Sequence, residues 1–385
     1  MSIFSVEGKG IKFNTAADIE PFLSELHDDV TEIRLSGNTF GVEASVRLAK
    51  ALENKSQLQV RPANPIPREI PAALEALLPA LQTCAALQTV NLCDNAFGPT
   101  AAAPLENFFA SHTPLRHLHL QNNGMGPEAG ARMANALARN TAALETVVCG
   151  RNRLENGSVA AWINCFTAHQ ETLSVVKMPQ NGIRPEGIER LMRDGLSLCS
   201  HLRVVDMQDN TFTQHGSVSL ANALPKWPGL EELAVGDCLL SARGGVAVAE
   251  ALQRAANKGI KVLRLQYNEI DAAGLKALRA AVELGLPQLE TLELNGNKFA
   301  EDDASIDAIR EMFESRGTGE LDELDDLEED SDAESEEDDA NDDDDDDDDD
   351  DEGESKSTQD TNLSPLDAAI EKNLAAAMNA TSLTS

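Results

Sequence analysis

One short pattern recurs along most of this chain and constrains its fold more than any other feature. It reads L-x-x-L-x-L-x-x-N, where the leucine positions also accept other apolar residues. We call its last position the ladder position. The ladder residues are Asn38, Asn95, Asn123, Asn152, Asn181, Asn210, Cys238, Asn268 and Asn297.

The spacing of these positions indicates ten units. From Asn95 onward, successive ladder positions lie 28 to 30 residues apart. The gap from Asn38 to Asn95 is 57 residues, so we predict a hidden unit between them with Ile66 at its ladder position. Its expected strand, residues 58–68, contains three prolines and lacks the leucine pattern.

A period of this length leaves room for a strand, a turn and a full helix, as in the longer leucine-rich repeats. We therefore predict an α/β fold: a leucine-rich-repeat horseshoe solenoid with parallel strands on its concave face and helices on its convex face. The predicted helices cover residues 41–53, 70–83, 101–110, 127–139, 157–169, 185–199, 216–224, 242–257, 272–284 and 302–315.

The domain organisation follows from where the repeat pattern begins and ends. Residues 1–30 are predicted to form an N-terminal cap containing a short hairpin (3–6 with 11–13), because a terminal repeat would otherwise expose its core. Residues 31–316 form the repeat domain.

The composition changes abruptly after Arg316. Residues 320–352 contain 25 Asp or Glu and no Lys or Arg, so we predict a disordered acidic tail over 317–352. Residues 353–385 form a C-terminal extension, in which 364–380 has the pattern of a short amphipathic helix.

Charge and cysteine usage limit the classes of partner. The net charge is −35, and residues 320–352 supply −25 of it, leaving −10 for the rest. A chain this acidic is not expected to bind nucleic acid, whereas a basic protein surface would be attracted. Six cysteines without C-x-x-C spacing indicate a reduced, intracellular protein.

No membrane association is expected either. The N-terminus lacks the apolar core of a signal peptide. No apolar run approaches the roughly 18 residues that a membrane-spanning helix requires.

Two rows of residues are candidates for contact with a partner. The first is the sheet-face row, whose members lie between the two inner apolar positions of each strand and point away from the core. It comprises Arg34, Asn91, His119, Val148, Lys177, Asp206, Ala234, Arg264 and Glu293.

The second is the rim row, formed by the residue just before each ladder position. The ladder asparagines themselves should bond neighbouring backbone, but the rim residues have no evident structural task. They are either partner contacts or solvated loop residues. They are Gly37, Asp94, Asn122, Arg151, Gln180, Asp209, Asp237, Tyr267 and Gly296.

Motifs for chemistry on a small substrate are missing from the sequence. It contains no G-x-S-x-G, no G-x-x-x-x-G-K-[ST] and no H-E-x-x-H. His117 and His119 share one strand face, but no third ligand type accompanies them, so we predict neither a metal site nor a cofactor.

Several segments resemble the Ran GTPase-activating protein family at variable positions as well as at the leucines. They are LSGNTFGVEA (35–44), VNLCDNAFGPTAAAPL (90–105), HTPLRHLHLQNNGMGPEAGA (112–131), CGRNRLENGS (149–158), VKMPQNGIRPEGIE (176–189), LQYNEI (265–270), ELNGNKF (293–299) and RGTGELDELDD (316–326). The resemblance covers roughly residues 1–352.

The resemblance implies a function as well as a fold. Members of this family dock on GTP-bound Ran and speed its GTP hydrolysis without an arginine finger, by positioning Ran's own catalytic Gln and excluding water. The family's important loop Asn falls on Asn122. The resemblance further implies a protein that supports nucleocytoplasmic transport from the cytoplasm, including the cytoplasmic side of the nuclear envelope. A monomer is the default expectation for a horseshoe with capped ends.

One loop departs from the family pattern. The family carries a longer loop with an Arg in a T-G-R segment before its E-I-P helix start, which here is residues 69–71. Residues 58–68 are shorter and have no T-G-R, so Arg68 or Arg61 could supply the charge, or both could be exposed loop residues without a role.

The predicted site is therefore Asn122 and Arg68 for activation. The predicted partner contacts are Asp94, Asn91, His119, Arg151, Lys177, Gln180, Asp206, Asp209, Asp237, Arg264 and Tyr267. Two alternatives stay open: a repeat scaffold that binds a GTPase or another protein without stimulating it, and an inhibitor of the ribonuclease-inhibitor type. The second class is typically rich in cysteine, which argues against it here.

Overall fold

A computed structural model describes residues 2–53, 55, 57–61, 70–254 and 257–328, and all of them belong to one compact unit. The described strands are β1 (Ser2–Ser5), β2 (Lys12–Phe13), β3 (Val30–Arg34), β4 (Thr39–Phe40), β5 (Gln59–Arg61), β6 (Thr89–Asn91), β7 (His117–His119), β8 (Thr146–Val148), β9 (Val175–Lys177), β10 (Val204–Asp206), β11 (Glu232–Ala234), β12 (Val262–Arg264), β13 (Thr291–Glu293) and β14 (Glu320–Leu321). All except β2 and β4 form a single parallel sheet in chain order, and β2 pairs with β4.

The helices alternate with these strands, and each packs against the next helix along the chain. They are α1 (Ala16–Leu23), α2 (Val42–Leu52), α3 (Ile70–Gln82), α4 (Ala102–Ser111), α5 (Gly126–Arg139), α6 (Val159–Ala168), α7 (Pro185–Arg190), α8 (Thr213–Ala223), α9 (Ala242–Arg254), α10 (Ala272–Leu284) and α11 (Ala304–Arg316). After α7 the chain continues in a π-helical turn and a 3₁₀ turn up to Leu198. This alternation confirms the predicted leucine-rich-repeat fold.

The core lies between the sheet and the helices and consists of the pattern's apolar positions. In β7 and β8, for example, Leu118 and Val147 are fully buried and lie opposite each other in the ladder of paired strands. The residues before and after them in each strand are half-buried and face away from the helices. Burial of side chains of this size stabilises the fold by about 1.5–3 kcal/mol each.

The ladder asparagines link consecutive repeats through their side chains. The Nδ2 of Asn123 donates to the carbonyls of Leu120 and Leu92, both at 2.8 Å, and its Oδ1 accepts from the backbone N–H of Asn95 at 3.1 Å. The same arrangement recurs at Asn152, Asn181, Asn210, Asn268 and Asn297. Each side chain thus satisfies backbone groups of its own loop and of the preceding loop.

Cys238 interrupts this row. Its thiol lies 3.4 Å from the carbonyl of Met207 and 3.3 Å from that of Gly236, so the sulfur takes over the donor role of the amide. A thiol has no carbonyl oxygen, however, and it offers the backbone of Asn210 no equivalent acceptor.

A second row of polar side chains joins the repeats where the helices end, which we call the helix-end row. Asn140 Nδ2 donates to Phe109 O at 2.6 Å, and Trp227 Nε1 donates to Leu196 O at 2.9 Å. Each carbonyl lies near the C-terminal end of the preceding helical segment, where backbone carbonyls lack the N–H partner four residues later that they would have within a longer α-helix. The row comprises His112, Asn140, His169, Cys199, Trp227 and Asn257, spaced by 28 to 30 residues. The sequence does not predict this row because its members share no chemistry.

The predicted N-terminal hairpin is wrong. β1 pairs in parallel with β3 and extends the main sheet, while β2 pairs in parallel with β4. The first residues therefore form an additional strand–helix unit ahead of β3, which begins at Val30. Two short apolar runs separated by a Gly-containing loop are equally compatible with a hairpin and with two strands that pair elsewhere.

The hidden repeat does contribute a strand. β5 pairs with β3 over three residues and with β6 through Val60 and Val90. Residues 62–69, which include Arg68 and the predicted ladder residue Ile66, lie outside the described residues.

The folded unit extends further than predicted at the C-terminal end. β14 adds a last strand to the sheet, and Leu324 is buried. The carboxylate of Asp322 accepts from the backbone N–H groups of Leu294 and Asn295 at 2.8 and 3.0 Å. The first acidic residues thus cap the open edge left by β13. The predicted remainder of the tail and the extension 353–385 lie outside the described residues.

Candidate functional site

The rim row has a structural task that its sequence pattern does not reveal. All nine rim residues have a left-handed backbone conformation, with φ between +53° and +76°. Glycine, asparagine and aspartate tolerate this conformation best, and six of the nine rim residues are of these types. Arg151, Gln180 and Tyr267 adopt it at a cost in free energy.

The same backbone conformation projects the rim side chains into solvent. Asp94, Asn122, Arg151, Gln180, Asp209, Asp237 and Tyr267 are all exposed, whereas the ladder asparagines beside them are buried. Among the rim residues in the middle of the row, Asn122 has the most constrained side chain, because its Nδ2 donates to Asp94 Oδ1 at 2.9 Å. This hydrogen bond orients the amide of Asn122 and leaves its Oδ1 available as an acceptor.

The sheet-face row presents its charges differently. Glu232, on β11, accepts from Lys177 Nζ at 3.2 Å and from Arg264 Nη1 at 2.9 Å. Arg264 also contacts Glu293 at 2.9 Å, and Arg34 contacts Glu32 at 2.8 Å. The charges of the predicted contacts Lys177 and Arg264 are therefore neutralised within the molecule. Glu232 was not predicted as a member of this charged cluster because its partners lie far away in sequence.

Asp206 and Asn91 occupy equivalent places on this face. Each accepts a hydrogen bond from the backbone N–H two residues later, at 3.3 Å from Gln208 and at 3.0 Å from Cys93. Burial raises the pKa of the Asp206 carboxyl, and the nearby Glu232 raises it further, while Gln208 and Lys177 oppose the shift. Ala234, also predicted to face outward, is buried.

At the C-terminal end of the rim, Tyr267 is held by the segment that follows β14. Its hydroxyl donates to Asp326 Oδ2 at 3.0 Å, and this carboxylate raises the pKa of the tyrosine. Gly296 makes room for the ring, since a Cβ there would lie 2.1 Å from Tyr267 Cδ1. A molecule that approached the Tyr267 hydroxyl would therefore also meet the carboxylate of Asp326.

A groove of 420 Å³ opens at the rim, across the loops that follow β8 to β11. We call it the rim groove. Three predicted rim residues line it: Gln180, Asp209 and Asp237. Three further side chains, Arg153, Glu155 and Leu239, line it as well and were not predicted. These three residues share a left-handed backbone conformation, which cannot be deduced from the sequence.

The remaining candidates do not form a reactive centre. His117 Nδ1 lies 3.0 Å from Thr146 Oγ1, and no group of three or more metal-ligating side chains occurs in the part of the chain that the structure describes. Burial raises the pKa of the Cys149 and Cys199 thiols to about 12, so these cysteines remain protonated. Within the same residues, no helix is long and apolar enough to cross a bilayer.

Comparisons with known proteins agree with this geometry. Residues 111–134 and 256–278 match a family model described as leucine-rich repeat. The chain is 36% identical to Ran GTPase-activating protein 1 of Xenopus laevis over 204 residues, covering 46% of this chain and 34% of that protein. It is 33% identical to the Ran GTPase-activating protein of Drosophila melanogaster over 327 residues, covering 80% and 54%.

A yeast relative matches over a larger share of both chains. Ran GTPase-activating protein 1 of Saccharomyces cerevisiae is 39% identical over 334 residues, which are 81% of this chain and 82% of the relative. Such identity over four-fifths of both proteins goes beyond a similarity of the repeats alone, and the chain belongs to the Ran GTPase-activating protein family.

Proposed function

We propose that this protein binds a Ran-type GTPase in its GTP-bound state and stimulates GTP hydrolysis by that GTPase. The observation that carries the proposal is the 39% identity to the yeast Ran GTPase-activating protein over four-fifths of both chains. The protein is a regulator in this proposal and leaves the bond-breaking chemistry to its partner.

The rim residues support a role in which this protein regulates hydrolysis and the partner GTPase carries it out. Asn122 is exposed, is held by Asp94 and offers an oriented amide, which is neither a base nor a nucleophile. Such a group can position a side chain of the partner, although it cannot activate a water molecule by itself. Ordering a water-positioning Gln while excluding solvent is a recognised route to faster GTP hydrolysis.

The net charge of −35 supports association with a basic partner surface. Residues 320–352 place most of this charge in one segment, and a charge of this density attracts an oppositely charged partner over about 8 Å at physiological salt. We expect the association rate to fall as ionic strength rises.

The oligomeric state, the location and the cellular role of the protein complete the proposal. We propose that the protein acts as a monomer in the cytoplasm, including the cytoplasmic side of the nuclear envelope, and that it supports nucleocytoplasmic transport. Both end strands of the main sheet are short, as β1 has four residues and β14 has two, so little edge is open to pairing with a second copy.

The test is single-turnover GTP hydrolysis by purified Ran with and without this protein. We expect acceleration by several orders of magnitude. Binding to GTP-loaded Ran without acceleration would instead support the non-catalytic scaffold. The same assay with Arg68→Ala measures whether the short loop contributes, and an unchanged rate would remove Arg68 from the activating residues.

A further inference from the structure

The backbone N–H of a rim residue is bonded to the next repeat. From Asp94 to Tyr267, each rim residue donates to the carbonyl of the residue that directly precedes the next rim residue, at 2.8 to 3.0 Å. We call these acceptors the pre-rim row. They are Gln121, Gly150, Pro179, Gln208, Gly236, Gln266 and Asn295. The position of a rim residue therefore depends on a residue one repeat further along the chain.

For Asn122, the acceptor is the carbonyl of Gly150, at 2.9 Å. The same carbonyl also accepts from Asn152 Nδ2 at 3.0 Å. Asn152 is a fully buried ladder residue, so it ties this carbonyl to the interior of the repeat. Because its side chain is also bonded to Asp94, Asn122 is held from both neighbouring repeats.

Gly150 is buried, and Pro179 of the following repeat packs directly on it. A Cβ at residue 150 would lie 2.8 Å from both Cγ and Cδ of Pro179 and 2.9 Å from its carbonyl oxygen. That oxygen accepts the N–H of Arg151 at 2.9 Å, and the proline ring restricts the backbone at its own position. Only glycine therefore fits at residue 150 without displacing this contact.

Gly236 occupies the equivalent place three repeats later, where its carbonyl accepts the N–H of Asp209 at 3.0 Å. It is buried as well, but the group that contacts it is the side-chain amide of Gln266, 2.4 Å from a Cβ built there. That amide ends a flexible side chain and can turn away. Neither Gly236 nor Gly150 has a positive φ, so the backbone accepts alanine at both. The two glycines differ in the rigidity of the group that contacts them.

We propose that Gly150 and Pro179 are positioning residues for Asn122. The rigid contact between them fixes the carbonyl that accepts the Asn122 N–H, and this bond sets where the exposed amide of Asn122 lies. The inference rests on the proposed function for the role of that amide. A misplacement of about 1 Å can cost about 100-fold in rate, so a smaller displacement of the Gly150 carbonyl lowers the rate as well.

The test is Gly150→Ala in the full chain, with Gly236→Ala as the matched control. In single-turnover hydrolysis by GTP-loaded Ran, we expect Gly150→Ala to lower the maximal rate about tenfold. The concentration for half-maximal stimulation should change less than about twofold, because every exposed rim side chain remains. Gly236→Ala should leave the maximal rate unchanged. A wild-type maximal rate for Gly150→Ala, or an equal loss in both variants, would overturn the proposal.

A second substitution checks that the effect passes through Pro179. Pro179→Ala removes the ring atoms that a Cβ at residue 150 would contact, so Gly150→Ala should cost less than about threefold in that background. A general loss of packing would instead cost the same in both backgrounds, which would remove Pro179 from the proposal. Pro179→Ala by itself frees the Gly150 carbonyl and should lower the maximal rate about threefold. If Gly150→Ala does not fold, an unchanged rate with Pro179→Ala overturns the proposal.

Amide hydrogen exchange separates this proposal from the proposed function. The Asn122 N–H should exchange about fivefold faster in Gly150→Ala, while the Asp209 N–H keeps its wild-type rate. A wild-type chain that does not stimulate Ran overturns the proposed function, and the exchange rate of Asn122 then decides the positioning. Stimulation by the wild type together with an unaltered rate for Gly150→Ala overturns the positioning alone.

Discussion

The ladder row and the rim row lie one residue apart in the same loops, yet they obey opposite constraints. At the ladder position the side chain is fixed, because it must donate to and accept from buried backbone groups. At the rim position the backbone is fixed, with φ near +55° to +76° for most members, while the side chain is exposed. A row constrained only through its backbone can carry variable side chains, and such a row can serve recognition.

The largest expected effect is a loss of stability at the ladder. Asn152→Ala removes donors to the carbonyls of Leu120 and Gly150 and the acceptor of the Asn123 N–H, all of them buried. Leaving these groups unpaired should lower the free energy of unfolding by about 4 kcal/mol, measured by urea denaturation. Arg151→Gly, one residue away, should instead raise it by about 1 kcal/mol. Equal losses at both positions would abolish the distinction between the rows.

The next largest effect concerns activity at the rim. Asn122→Gly keeps the left-handed backbone and removes only the amide, so stability should stay unchanged while the single-turnover rate with Ran falls about 100-fold. Asp94→Gly removes the group that holds the amide and should lower the rate less. A full rate with Asn122→Gly would leave the rim without its proposed role.

A smaller effect should come from repairing the ladder. Cys238→Asn restores the missing carbonyl oxygen beside Asn210 and should raise the free energy of unfolding by about 1 kcal/mol. Cys93→Asn changes a cysteine that lies off the ladder row and serves as the control. If both substitutions have the same effect, the gain does not come from the ladder.

The smallest expected effect concerns Asp206, which is neither as buried as the ladder residues nor as exposed as the rim residues. The pKa of Asp206 is raised in the folded state, so ionisation of this carboxyl destabilises the fold above the folded pKa and has no effect below the unfolded value near 3.8. Asp206→Asn should therefore match the wild type at acidic pH and exceed its stability by about 0.5 kcal/mol at pH 7. Denaturation midpoints across this range measure the difference, and a gain that does not depend on pH would contradict the assignment.

The sequence was sufficient for everything that depends on a repeated residue type. The leucines and the asparagines of the ladder predicted the strands, the period and the hidden repeat, whose strand is β5. The rim row could be located in the same way, because it is defined by its distance from the ladder position.

Features that depend on geometry alone were not predictable. The helix-end row combines histidine, asparagine, tryptophan and cysteine, so only the hydrogen bonds reveal it. Glu232 contacts Lys177 and Arg264 across 55 and 32 residues of sequence. The end of the folded unit was misplaced because acidic residues indicate a solvated tail, whereas Asp322 bonds two backbone N–H groups at the sheet edge.

The pairing of β5 with β6 has a consequence for folding cooperativity. Val60 pairs with Val90 in the sheet, and α3 packs against α4 in the helical layer. In a linear array of repeats, each interface transmits folding from one unit to the next. The N-terminal units are therefore coupled through both layers to the loops that carry Asn122. A substitution that destabilises β3 should accordingly also speed amide hydrogen exchange in β6 and β7.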